Sequence, residues 1–308
     1  MHTLPIGIFD SGLGGLTVAS EIMRALPDEG IVYLGDTARC PYGPRTPEEV
    51  RTFVLEIGAW LTQQRVKMIV IACNTASAAG LALAQRAFDV PVIGVVEPGA
   101  RAAVKATVNR RVGVIGTDGT IRSGAYSNAV RALDAGVTVY SAAAPRFVDL
   151  VEQGLRMGGG TLEDWLASMT GVFIRPSFYE MARDYLDPLK RNGIDTLVLG
   201  CTHFPLLAPA IQQVIGPRVR LISSAEETAR EVAETLAARG QLAGDGAARS
   251  ELFATTGDAV EFRSLGARVL QRPIARAEHV SLGDLEALLD DRLQAVLAEH
   301  EAEGAQCG

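Results

Sequence analysis

Two cysteines stand where an apolar run gives way to small hydrogen-bonding residues. Cys73 ends the run in "VIACNTAS" (70–77), and Cys201 does the same in "VLGCTHFP" (198–205). Asn74 and Thr75 follow the first thiol; Thr202 and His203 follow the second. A thiol at a helix N-terminus lies among unpaired N–H groups and partial positive charge, which lowers its pKa from about 8.5. His203 adds an imidazole that can act as base or proton relay. A single cysteine is most often a small buried apolar residue. Two in matching settings point instead to a pair of acid–base thiols.

Other candidates lie in glycine-rich turns and loops. "DSGLGG" (10–15) lacks the Lys-Ser/Thr of a P-loop and does not fit G-x-G-x-x-G. Asp10 can hold an ammonium group or support proton transfer by a neighbouring thiol, whereas Asp10 and Ser11 as a simple helix cap is the plainer alternative. The Pro/Gly-dense loop "ARCPYGPRTPEEV" (38–50) brings Cys40, Tyr42 and Gly43 toward the strand ends. Glu152 falls in a predicted helix, where a solvated carboxylate is the commoner outcome. A metal site from Cys73, Cys201 and His203 lacks the usual clustered ligand spacing, so no metal is expected.

These residues need strands to aim them. "PIGIF" (5–9), "IVYL" (31–34), "MIVIA" (68–72) and "VIGV" (92–95) are short, rich in Ile and Val, and read as strands buried on both faces. Gly15–Leu26, Pro47–Gln64 and Thr75–Phe88 read as the helices between them. The pattern restarts at 111–117 and continues at 137–140, 196–200 and 219–223. Such alternation predicts an α/β fold with doubly wound parallel sheets. "GIFDSGLGGLT" (7–17) is echoed by "GVIGTDGTIRSG" (113–124), and the first cysteine motif by the second, in the same order. The expected architecture is two similar domains related by a pseudo-twofold and facing each other across a cleft, with all four segments at strand carboxyl ends.

The expected boundaries are 1–98 plus 219–282 for a discontinuous first domain and 99–218 for the second. Residues 283–308 form a C-terminal helix and frayed tail. In "SLGDLEALLDDRLQAVLAEH" (281–300) leucines recur at helical spacing after a Ser281/Asp284 capping box, packed on the chain's own body or on another subunit. Residues 156–175 read as a Gly-rich, then helical, insertion.

At 308 residues the chain is long enough for about two domains. It is 48% hydrophobic with a formal charge of −7, which excludes a generally basic footprint for nucleic acid or anionic lipid. Polar residues interrupt its most apolar segment, 68–84, so no membrane span is expected. The start has no basic n-region followed by an apolar stretch, and none of the four cysteines forms a C-x-x-C pair. A reducing cytoplasm is the expected location.

"IFDSGLGGLTV", "LGDTARCPYGPR", "VIACNTAS", "GVIGTDGTIRSGAY", "LVEQG", "LGCTHFPLL" and "AEETAREV", taken together and in order, closely resemble the glutamate racemases of the aspartate/glutamate racemase superfamily. The resemblance runs from about Pro5 to about Val280. It implies interconversion of L- and D-glutamate without pyridoxal phosphate, metal or other cofactor, supplying D-glutamate for peptidoglycan. Two cysteines, matched here by Cys73 and Cys201, would exchange the α-proton from opposite faces, the first acting on D-glutamate and the second on L-glutamate. Asp10 would assist Cys73, and Glu152 and His203 would assist Cys201. Asp10, Ser11, Tyr42, Gly43, Asn74, Thr75 and Thr202 would line the substrate pocket, with Thr117 and Thr120 as further contacts. A homodimer is expected, and a contact with DNA gyrase, reported for some members, is left open. Phe204 departs from the tyrosine frequent there, and the segment 157–177 and the tail beyond Ser281 exceed the common core. Racemisation of aspartate, a redox thiol protein and a small-ligand binding module are the competing readings. The YG loop and "LVEQG" favour glutamate, and the lack of an adjacent resolving cysteine disfavours redox exchange.

Overall fold

The computed structural model describes residues 3–157, 176–244 and 249–306. The expected helical insertion over 156–175 falls almost wholly outside them. Among the described residues the strands are β1 (Ile6–Asp10), β2 (Ile31–Gly35), β3 (Met68–Ile71), β4 (Val92–Gly94), β5 (Arg111–Gly116), β6 (Thr138–Ala143), β7 (Thr196–Gly200), β8 (Arg220–Ser223), β9 (Glu251–Thr255) and β10 (Ala277–His279). They form one sheet in the order β10-β9-β2-β1-β3-β4 and a second in the order β6-β5-β7-β8, and every pairing is parallel.

The run β2-β1-β3-β4 has the same topology as β6-β5-β7-β8, so the echo in the sequence is an echo in the fold. In each sheet the chain steps from the central strand to one side and returns on the other. That reversal leaves a crevice beyond the carboxyl ends of β1 and β3, and of β5 and β7, where open α/β sheets bind ligands. The central strands are buried on both faces, which explains their predominantly apolar composition.

Local signals set the helix ends. Helix Pro47–Gln63 starts at a complete capping box between Thr46 and Glu49, with Pro47 in its first turn. One apolar cluster spans both halves, running from Ile6, Ile8 and Leu16 to Phe147, Leu199 and Phe204. Phe204 is fully buried and packs edge-on against Phe147 at 5.5 Å, so the ring needs no hydroxyl.

Two expectations need adjustment. Strand β8 pairs with β7 in the second sheet, Thr196 opposite Arg220, so the chain rejoins the first sheet at β9 and not at residue 219. The single helix expected over 281–300 is two, Leu282–Glu286 and Asp291–Gln306, because the Asp290 carboxylate caps Leu293 N at 2.8 Å and restarts the helix. Ser281 caps the first through Asp284 N at 3.1 Å. The leucine stripe faces the chain's own body: Leu285 and Leu293 are buried with Leu55, Leu83 and Ala87. Among the described residues no helix is long and apolar enough to cross a membrane.

Candidate active site

Cys73 is the N-cap of helix Asn74–Ala87. Its sulfur accepts the Ala76 N–H at 3.5 Å and lies 3.7 Å from the Ser11 hydroxyl. Cys201 follows β7 but caps no α-helix, contrary to the parallel expected from sequence. It opens a turn into a short 3-10 segment, Phe204–Leu207, with Pro205 in its first turn. His203 stands in for the missing helix terminus: its Nδ1 is 3.7 Å from the Cys201 sulfur, and its Nε2 is 2.9 Å from Glu152 Oε1.

The two thiols therefore meet different electrostatics. Burial, with Asp10 adding to it, pushes the Cys73 thiol up to about 12 against the pull of Ala76 N–H and Ser11. Burial also works against charge on His203, but Cys201 and Glu152 outweigh it and hold the imidazole well above its ordinary range. Burial would raise Glu152 too, and His203 and Arg156 overcome that and hold it low. Asp10 is fully buried and raised by desolvation, although His203, the Gly15 and Gly12 amides and Thr202 all favour its carboxylate.

A chamber between the halves is lined by both thiols together with Ser11, Tyr42, Gly43, Asn74, Thr75, Thr117, Thr202, His203, Pro41 and Val148. Its free volume of about 20 Å³ holds little more than one water. Asp10 sits behind that wall, accepting Gly12 N–H at 2.8 Å and Thr202 Oγ1–H at 3.3 Å. Thr120 is also one layer back, 3.0 Å from Thr117 and 3.3 Å from Thr75. Glu152 is half-buried and lies outside the chamber; with Cys40, Pro41 and Val148 it lines a larger outer cavity of about 190 Å³. Burial raises the Cys40 thiol, and Cys40 stays outside the chamber. The halves meet directly at the site, through Thr75 and Thr117 hydroxyls 2.8 Å apart and Gly119 N–H on Gly43 C=O at 3.0 Å.

Two features escaped the sequence. Behind Tyr42, Asp36 accepts the Tyr42 hydroxyl, Arg39 Nε at 2.7 Å and Thr256 Oγ1 at 2.7 Å, and Arg39 also pairs with Glu56. Asp36 follows β2 as Asp10 ends β1, a carboxylate at a buried strand end, and that placement was the available signal. Tyr126, the last residue of "GVIGTDGTIRSGAY", reaches from helix Ala125–Leu133 to donate to Asn74 Oδ1 at 2.7 Å; the motif did not disclose that partner. Among the described residues no group of three or more His, Cys, Asp and Glu is arranged to hold a metal ion.

An α/β protein of two like halves, each contributing a thiol from corresponding strand ends to one small chamber, is the class these observations define. The profile of the Asp/Glu/Hydantoin racemase family matches residues 14–232. A glutamate racemase of Shouchella clausii is 51% identical over 263 residues, 85% of this chain and 89% of that one. The crystal structure of a glutamate racemase isoform from Bacillus anthracis has a TM-score of 0.81 at 45% identity, covering 92% of this chain and 99% of that one. A glutamate racemase from Francisella tularensis, solved in complex with D-glutamate, has a TM-score of 0.79 at 32% identity over 92% and 99% of the two chains. The chain belongs to the Asp/Glu/Hydantoin racemase family, on the side of the glutamate racemases, and is an isomerase.

Proposed function

We propose that the protein is a cofactor-independent glutamate racemase working by two-cysteine proton transfer at the α-carbon. One observation carries the proposal: Cys73 and Cys201, from corresponding strand ends of the two halves, line the same chamber.

From L-glutamate, the Cys201 thiolate takes the α-proton and becomes a thiol, leaving the C–H electron pair on the α-carbon and its carboxylate. The Cys73 thiol, held protonated by burial, then delivers its proton to the opposite face and is left as thiolate. The reverse direction exchanges the roles. The His203 imidazolium, braced by Glu152, stands beside the Cys201 sulfur; on the other side the substrate ammonium and Asp10 would manage the charge at Cys73. The α-proton is very weakly acidic, so donors aimed at the carboxylate must stabilise the carbanion. The hydroxyls of Ser11, Thr75, Thr117 and Thr202 and the Asn74 amide suit that task. A chamber with room for one water cannot admit glutamate as it stands, so the halves would part for entry and close for reaction, excluding water.

By the same reading the enzyme acts in a cytoplasm, works as a homodimer and supplies D-glutamate for peptidoglycan. The test is L-glutamate in deuterated water with protein freed of pyridoxal phosphate. Racemisation with α-deuterium incorporation is expected, as is its loss in Cys73→Ser and Cys201→Ser. Turnover of aspartate but not glutamate would overturn the substrate, and inhibition by a chelator the metal-free mechanism. Light scattering of the purified protein tests the dimer.

A further inference from the structure

We propose that Tyr126 is a positioning residue that aims the Asn74 amide at the substrate, so that the amide is set for binding only while the two halves are docked; this rests on the glutamate racemase reading. Tyr126 lies on the second half, between its β5 and β6, and Asn74 belongs to the first, directly after Cys73. Both side chains are buried, and the phenol donates to Asn74 Oδ1 at 2.7 Å. The phenol proton goes to Oδ1, and this fixes which end of the amide faces which way.

The consequence lies at the other end of the amide. Asn74 Nδ2 is buried and finds no hydrogen-bond partner among the described residues, on a residue that lines the chamber. A buried donor without a partner is costly and rare in a folded protein. Here it is a donor held ready for an acceptor from outside, which for an amino-acid substrate is a carboxylate oxygen.

The packing around the phenol is made for it. A Cβ at Gly200, the residue before Cys201, would stand 3.0 Å from the Tyr126 ring, and one at Gly99 would stand 3.1 Å from its hydroxyl. Tyr126 thus touches the segment leading into one thiol while orienting the residue that follows the other. Parting the halves withdraws the phenol, and the amide is then free to rotate.

The experiment is steady-state kinetics of the full-length Tyr126→Phe enzyme with each enantiomer, followed by circular dichroism. Removing the hydroxyl leaves the ring packed and lets the amide turn its donors away. KM is expected to rise about tenfold for both enantiomers, with kcat within about threefold of wild type. A lower thermal midpoint with unchanged KM would make Tyr126 merely structural, and a fall in kcat with unchanged KM would place its action in the transition state; either result overturns the proposal. If wild type does not racemise glutamate, the underlying reading has failed instead, and the two failures are distinguished by that control.

Discussion

His203 is held 2.9 Å from the Glu152 carboxylate, on the side of the ring away from the Cys201 sulfur. A carboxylate there keeps the imidazole charged beside the sulfur. Glu152→Gln keeps the shape and removes the charge. L- and D-glutamate are equal in free energy, so kcat/KM must fall by one factor in both directions. A loss of about 10²-fold is expected, in the range of a displaced acid–base group. The direction that uses Cys201 as base should show the larger fall in kcat, measured as initial rates from each pure enantiomer.

The same pair makes stability depend on pH. Glu152 is held below its ordinary 4.5, so its contribution is present above that pH and is lost as pH falls through the lowered value. His203 is held above its ordinary 6.5, so its contribution is full below 6.5 and is lost as pH rises through the raised value. The thermal midpoints of wild type and Glu152→Gln should differ most between pH 4.5 and 6.5. Calorimetry should show the gap narrowing on either side; a gap that widens steadily to pH 9 would contradict the linkage.

Burial and Asp10 set Cys73 apart as the group that rests protonated, at about 12. Only the thiolate reacts with iodoacetamide, and well below the pKa its fraction rises about tenfold per pH unit. Labelling of Cys73 in the substrate-free enzyme, followed by peptide mass spectrometry, should keep accelerating from pH 7 to pH 10. A plateau by pH 8 would mean that the buried environment does not hold the proton.

Arg39 is nine-tenths buried between the Asp36 and Glu56 carboxylates, and its guanidinium lies 3.9 Å over the Phe53 ring. Arg39→Met keeps the packing stem but strands two buried carboxylates, one of which holds the Tyr42 hydroxyl. A loss of about 3–5 kcal/mol is expected from breaking a buried ionic group on one side. Urea unfolding measures it, and Asp36→Asn in the same background should recover part of the loss.

What the sequence made legible were features written in consecutive residues. The apolar runs that end at Asp10, Cys73 and Cys201 announced the strands and the side chains at their tips, and the repeated order of glycine turn and cysteine announced two like halves. The unseen parts depend on contacts distant in the chain. Strand β10 is a three-residue edge strand of Ala277, Glu278 and His279, and β9 has only Leu252, Phe253 and Ala254 between Glu251 and Thr255, so neither carries the Ile/Val run that marks the other strands. Glu152 reads as a surface carboxylate until His203 is brought to it from 51 residues away. Tyr126 closes the "GVIGTDGTIRSGAY" motif, but its partner is 52 positions earlier. Cys201 looked like a helix cap because residues 202–207 resemble a helix start, whereas their bonding is that of a 3-10 turn.

The turn "DSGLGG" acquires its meaning from the opposite half. A Cβ at Gly14 would lie 2.4 Å from the Thr202 hydroxyl oxygen and 2.8 Å from the His203 ring. The turn of the first half is therefore pressed against the two residues that follow Cys201, and only a missing side chain allows it. Thr17 reinforces the contact by donating to the Thr202 carbonyl at 3.2 Å. Gly14→Ala must push His203 and Thr202 away from their places, and overpacking of this kind costs about 1–3 kcal/mol. Catalysis should suffer more than stability, since a displacement of about 1 Å in an acid–base group is worth about 10²-fold in rate. The expected outcome is a protein that unfolds a few degrees lower yet has lost about 99% of its kcat. A variant with normal turnover would show that the seam between Gly14 and His203 yields without moving the imidazole from the thiol.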